Sequence, residues 1–245
     1  DGDVPDTTDL PAVHAATDAL HDATQRLVRS VDTMTDDTWR GDSLLPGWTR
    51  AHLVAHLTLN AEGLAGSLEG LRQGRGVPMY PSPQARDQDI EELSREEVPR
   101  ARDRLLASVS RFADAVAAMD DEDWSRQIER VPGGPTFPAA AVPAMRWREV
   151  EIHHVDLGVG YDHHDWPVAF AEAAVDSMTT RLADLSPGFR LLLTDLDREC
   201  GVGSVAPGAP VVRGSVADAA RWLSGRGDGA GMSSEGGDLP QIGAW

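Results

Sequence analysis

Apolar residues recur at helical spacing in four long stretches within roughly the first two thirds of the chain, and this limits the fold more than any other feature. The first stretch runs from Leu10 to about Met34, with Leu20, Leu27, Val28 and Val31 on its apolar side. Leu45-Pro46-Gly47-Trp48 reads as a turn, and Thr49 as the N-cap of a second helix from about Arg50 to Arg72. A long Pro- and Arg-bearing loop, Gly74 to Asp87, separates it from a third helix, about Pro99 to Met119, striped by Leu105, Val109, Phe112 and Val116. An irregular stretch around Val131-Pro132-Gly133-Gly134-Pro135 precedes a fourth helix, from near Pro143 to Leu157-Gly158. Four helices of this length joined by crossover loops predict a bundle over residues 1–165.

The pattern changes after Asp165-Trp166-Pro167. One more helix is predicted from Val168 to about Leu185, then strand-like runs at Phe189 to Thr194 and Ala209 to Ser215, a short helix Val216 to Leu223 and a Gly-rich tail. Residues 166–245 therefore read as a smaller α+β domain, and the whole chain as α+β.

Composition removes several classes of function. All 22 basic residues are arginines, so a Schiff-base lysine and a P-loop lysine are excluded. A net charge of −18 argues against a nucleic-acid partner, which requires a basic surface to displace counterions. The single Cys200 forbids an intrachain disulfide, a Cys-x-x-Cys pair and an all-thiolate zinc site, and no activating context surrounds it. No run of about 18 apolar residues occurs and the opening residues are acidic and polar, so a cytoplasmic protein without a membrane span or secretory signal is expected.

Six of the eight histidines fall in three pairs. His163-His164, between Asp162 and Asp165, reads as a solvated turn. His52 and His56 lie four apart on the second helix and share a face. On the fourth helix Glu149, His153 and Asp156 form one narrow stripe beside Met145 and Ile152. A carboxylate and an imidazole on an apolar face are costly unless paired. A metal ion would pair them: Glu149 and His153 supply two ligands and His52, on a facing helix, a third, leaving open positions as in catalytic zinc sites. A hydrogen-bonded Glu-His pair that steadies the bundle meets the same spacing equally well.

Trp48-Thr49-Arg50-Ala51-His52-Leu53-Val54-Ala55-His56 and Arg148-Glu149-Val150-Glu151-Ile152-His153-His154-Val155-Asp156-Leu157-Gly158 resemble the DinB-like family of metal-binding helical bundles. The resemblance narrows to the mycothiol-dependent maleylpyruvate isomerases through Pro78-Met79-Tyr80-Pro81-Ser82-Pro83-Gln84-Ala85-Arg86, Gly214-Ser215-Val216, and Gly225-Arg226-Gly227 with Ser233-Ser234. It covers nearly the whole chain. It implies Zn2+ on His52, Glu149 and His153, a catalytic arginine at Arg226 from the second domain, and Arg86 lining the same cleft. His56 is expected as a neighbour of the site rather than a ligand, and His154 is given no role.

The resemblance also implies mycothiol as a regenerated thiol cosubstrate, small-molecule partners and an enzyme of gentisate catabolism; a monomer is expected, though the sequence does not fix the oligomeric state. Its reaction would convert maleylpyruvate to fumarylpyruvate through thiolate addition, bond rotation and elimination. The bidentate guanidinium groups of Arg226 and Arg86 suit a substrate with two carboxylates. A mycothiol S-transferase would share the zinc trio but release a stable thioether. A metal-dependent hydrolase would need no thiol, and a binding module would need no metal.

Overall fold

The structure, a computed structural model, describes residues 8–235 and 237–245. The acidic opening residues 1–7, from which the absence of a secretory signal was read, lie outside the described residues. The chain divides into two compact units between Tyr161 and Asp162, a few residues before the boundary drawn at Asp165-Trp166-Pro167.

The first unit is a helical bundle. Helix α1 (Leu10–Thr33) begins where the Asp9 carboxylate accepts from the Ala12 amide, and is followed by the short α2 (Asp36–Arg40). Helix α3 (Arg50–Arg72) starts at Thr49, whose hydroxyl accepts from the His52 amide while the His52 ring accepts from the Thr49 amide, a reciprocal capping box. α3 is the central helix: Leu53, Leu57, Leu64 and Leu68 are fully buried, and it packs against α4 (Pro83–Ser94), α5 (Val98–Ala117) and α6 (Val142–Asp156). The antiparallel hairpin β1 (Gln127–Glu129) and β2 (Thr136–Pro138) occupies the stretch read as irregular between the third and fourth predicted helices.

Helix α4 falls where a loop was expected to end and no helix was drawn. Ser82 caps it and Pro83 stands in its first turn, but it buries only Ile90 and Leu93, too few apolar positions to show a period. The segment before it lies flat on α3. The Met79 and Tyr80 amides donate to the Glu129 and Arg130 carbonyls at 3.0 and 2.9 Å. On the other side of the segment, a Cβ on Gly63 would stand 2.6 Å from the Met79 carbonyl oxygen, so only glycine permits this approach.

α1 is joined to α6 by buried polar contacts. Arg26 meets Glu151 at 2.7 Å, the Tyr161 hydroxyl donates to the same carboxylate at 2.6 Å, and His154 Nε2 meets the Ser30 hydroxyl at 2.7 Å. His154 therefore serves this helix–helix seam.

The second unit holds α7 (Val168–Arg181), strands β3 (Phe189–Leu193), β4 (Arg198–Val202) and β5 (Val211–Gly214), α8 (Val216–Leu223) and the short β6 (Ser233–Ser234). The sheet order is β4-β3-β5-β6, with β3 and β5 parallel and the other pairs antiparallel. The strands expected at 189–194 and 209–215 are present as β3 and β5. β4, which includes Cys200, was not predicted, because its Arg-Glu-Cys-Gly-Val sequence is largely polar and only Val202 is buried. The α+β assignment thus describes the chain. Among the described residues no helix is long and apolar enough to cross a membrane.

Leu64 sits at the middle of α3 with no solvent exposure. Leu64→Ala is expected to lower unfolding free energy by about 2–5 kcal/mol, read from the urea midpoint at constant m.

Candidate metal centre

Three donor side chains converge between α3 and α6. His56 Nε2 lies 2.8 Å and His153 Nε2 3.1 Å from the same oxygen of Glu149, and the donor atoms all fall within 4.8 Å of one another. The two imidazole rings meet edge to face with centroids 4.8 Å apart. Glu149 and His153 share a face of α6 because they are one turn apart, and His56 faces them from the second turn of α3.

The expected trio differs at one position. The geometry brings His56, not His52, to Glu149 and His153. Both ring nitrogens of His52 are engaged elsewhere: Nδ1 accepts from the Thr49 amide at 3.3 Å and meets its hydroxyl at 2.7 Å, and Nε2 meets Glu91 at 3.0 Å. His52 is the third residue of α3 and serves its cap, whereas His56, one turn deeper, is buried. Spacing alone placed both on one face and could not separate these roles.

The surrounding groups shift the protonation of the three side chains in different directions. Burial pushes the His56 imidazole below its usual pKa despite Glu149, so it is neutral at pH 7. Its Nδ1 accepts from Arg86 Nη2 at 3.2 Å, leaving Nε2–H to donate to Glu149. His153 behaves in the opposite way. Burial opposes its charge, but hydrogen bonds to Asp156 and Glu149 outweigh burial and raise its pKa. Its Nδ1 lies 3.0 Å from the buried Asp156 carboxylate. Burial likewise opposes ionisation of Glu149, yet His56 and His153 hold that carboxyl well below the usual carboxylate range.

Two imidazole nitrogens and one carboxylate oxygen, with an acidic residue orienting one imidazole from behind, form a donor set suited to zinc with room for an exogenous ligand. Asp156 was placed on the same stripe by sequence but given no role; its contact with His153 requires the three-residue spacing on α6. Arg86 lies beside the cluster, its guanidinium 5.7 Å from the centroid of the Tyr80 ring and paired with Asp87 at 2.8 Å. Arg86 and Tyr80 line a cavity of about 250 Å³.

Arg226, the other expected catalytic residue, belongs to the second unit. Its Nη1 donates to the Ser224 and Trp245 carbonyls at 3.0 and 3.2 Å, and its guanidinium lies 5.4 Å from the centroid of the Trp245 ring. It lines a cavity of about 230 Å³ with His163, Asp218 and Arg221. His163 and His164 were expected in a solvated turn; His164 is exposed, and both meet Asp218 Oδ1, at 2.8 and 3.1 Å. Arg221 donates to His163 Nδ1 at 3.2 Å, which leaves His163 Nε2–H to donate to Asp218.

Glu149→Gln and His56→Ala are each expected to remove stoichiometric zinc binding while His52→Ala retains it, as measured by metal content after dialysis. Zinc must displace the His153 proton, so apparent affinity should fall as pH is lowered through that raised pKa, measured by competition with a chromogenic chelator.

Comparison with known proteins follows the same residues. Residues 20–158 match the family model described as the mycothiol maleylpyruvate isomerase N-terminal domain. A search among curated proteins finds no match. A crystal structure of the mycothiol-dependent maleylpyruvate isomerase is similar with a TM-score of 0.88 and 29% identity, covering 95% of this chain and 97% of that one. A crystal structure of a histidine-to-alanine mutant of the mycothiol-dependent isomerase gives a TM-score of 0.87 and 28% identity, again covering 95% and 97% of the two chains.

Proposed function

The chain belongs to the mycothiol maleylpyruvate isomerase family, whose model matches more than half of it, and we propose that it isomerises maleylpyruvate to fumarylpyruvate with mycothiol as cosubstrate. The observation that carries this reading is the convergence of His56, Glu149 and His153 within the stretch that matches the family.

These three side chains would hold a zinc ion, His56 taking the place expected for His52. Zinc, when bound, would supply a Lewis acid that keeps a thiol ionised near neutral pH, where a free thiol of pKa about 8.5 is mostly protonated. Cys200 cannot fill the thiol's role: it is half-buried on β4 and burial pushes its pKa up. An external thiol is therefore the chemical complement to this chain.

The thiolate of mycothiol adds to the cis double bond, the resulting single bond rotates, and elimination returns the thiolate with the trans bond formed. The chain's own residues hold the reacting groups. Asp156 fixes the His153 ring by taking its Nδ1 proton in a hydrogen bond. With a metal held at His56 Nε2, that ring's proton would sit on Nδ1, which could not accept from Arg86, and the guanidinium would be available to a carboxylate. Arg226 is the second candidate for substrate carboxylates and the developing enolate.

Turnover is expected only with both zinc and mycothiol, followed as loss of the cis isomer with the thiol recovered intact. A stable thioether would instead favour the transferase, and turnover without thiol the hydrolase. Arg226→Ala should reduce turnover roughly 100-fold or more while zinc content stays normal. Loss of zinc in that variant would overturn the role assigned to Arg226.

A further inference from the structure

A groove of about 410 Å³ lies between α1 and α5, with Arg146 of α6 among its lining residues. Its walls are largely apolar: Leu20 from α1, and Val109, Phe112 and Val116 from α5. Arg146 is 2% exposed. Its Nη1 donates to the Leu57 carbonyl and to Asn60 Oδ1, both at 2.8 Å, and both partners are uncharged. Its Nη2 is buried without a hydrogen-bond partner, and no carboxylate among the described residues forms an ion pair with it. Glu149 attracts it through space, but the Glu149 carboxylate already serves His56 and His153. Burial lowers the Arg146 pKa to about 10.

A buried guanidinium with an unused donor and no paired anion is costly in a protein interior. Arg146 is the arginine among the lining residues and it is buried; Asp114 and His21, which also line the groove, are exposed. Apolar walls with one charged group are the usual make-up of a site for a small amphiphile. We propose that the α1–α5 groove binds a small monocarboxylate with an apolar body, its carboxylate directed to Arg146 and its body against Leu20, Val109 and Phe112. None of His56, Glu149 and His153 lines this groove, and the proposal does not depend on the isomerase reading.

Calorimetric titration of the full chain with octanoate and, separately, 1-octanol tests the proposal. One octanoate should bind per chain, at least tenfold more tightly than the alcohol. Ala113, an exposed lining residue on α5, allows the groove to be filled without touching Arg146 or the zinc trio. Ala113→Trp should weaken octanoate binding at least tenfold with an unchanged melting temperature and zinc content. Arg146→Gln should bring acid and alcohol to equal affinity. Absence of octanoate binding, equal binding of the two by the unsubstituted chain, or octanoate binding undiminished in Ala113→Trp would each overturn the proposal, the last by placing the ligand outside the groove; a preference for the acid that survives Arg146→Gln would overturn it by placing the carboxylate elsewhere.

Discussion

The carboxylate of Glu149 is the constraint around which the bundle is arranged. It faces inward from α6, where an ionised group is tolerated only with partners, and its partners come from two directions: His153 on its own helix and His56 on α3. The same requirement repeats along α6. Glu151 is answered by Arg26 and Tyr161, His154 by Ser30, and the Nη1 end of Arg146 by the Leu57 carbonyl and Asn60. A helix that buries so many polar groups can sit in only one rotation and one depth, because any slip would strand several of them. The three donor atoms of the candidate metal centre owe their separation to this pairing as much as to apolar packing.

Much of this was legible in the sequence, for identifiable reasons. The four long helices declared themselves through apolar period, and the stripe of Glu149, His153 and Asp156 followed from three- and four-residue spacing. α4 did not, because a helix that buries two apolar residues leaves no periodic trace. The choice between His52 and His56 was beyond spacing: both lie on one face, and the difference is set by the cap at Thr49 and by Glu91 from α4, a helix the sequence did not reveal. The unseen α4 thus bears on where His52 is placed, since Glu91 holds its Nε2 away from Glu149 and His153.

The second unit was readable in outline. Its buried parallel pair, β3 and β5, is rich in branched and apolar residues, whereas β4 at the sheet edge is polar enough to pass for a loop. Arg226 lies between Gly225 and Gly227, both at positive φ, and a Cβ on Gly225 would meet the Ala244 backbone at 2.5 Å. The Gly-Arg-Gly sequence is therefore a backbone requirement of this turn, whatever the arginine does.

The contact at Gly63 sets a tolerance for the first unit. The segment bearing Met79 and Tyr80 is tethered outward by two backbone hydrogen bonds to the β1 hairpin and stopped inward by the bare backbone of α3. The width of the cavity beside Tyr80 and Arg86 is thus gauged by main chain against main chain, with no side chain between them to flex. A cleft built this way has a fixed calibre. Its walls can change in chemistry through residues such as Tyr80 without changing in position, so selectivity for what enters can drift in sequence while the spacing to His56 is kept.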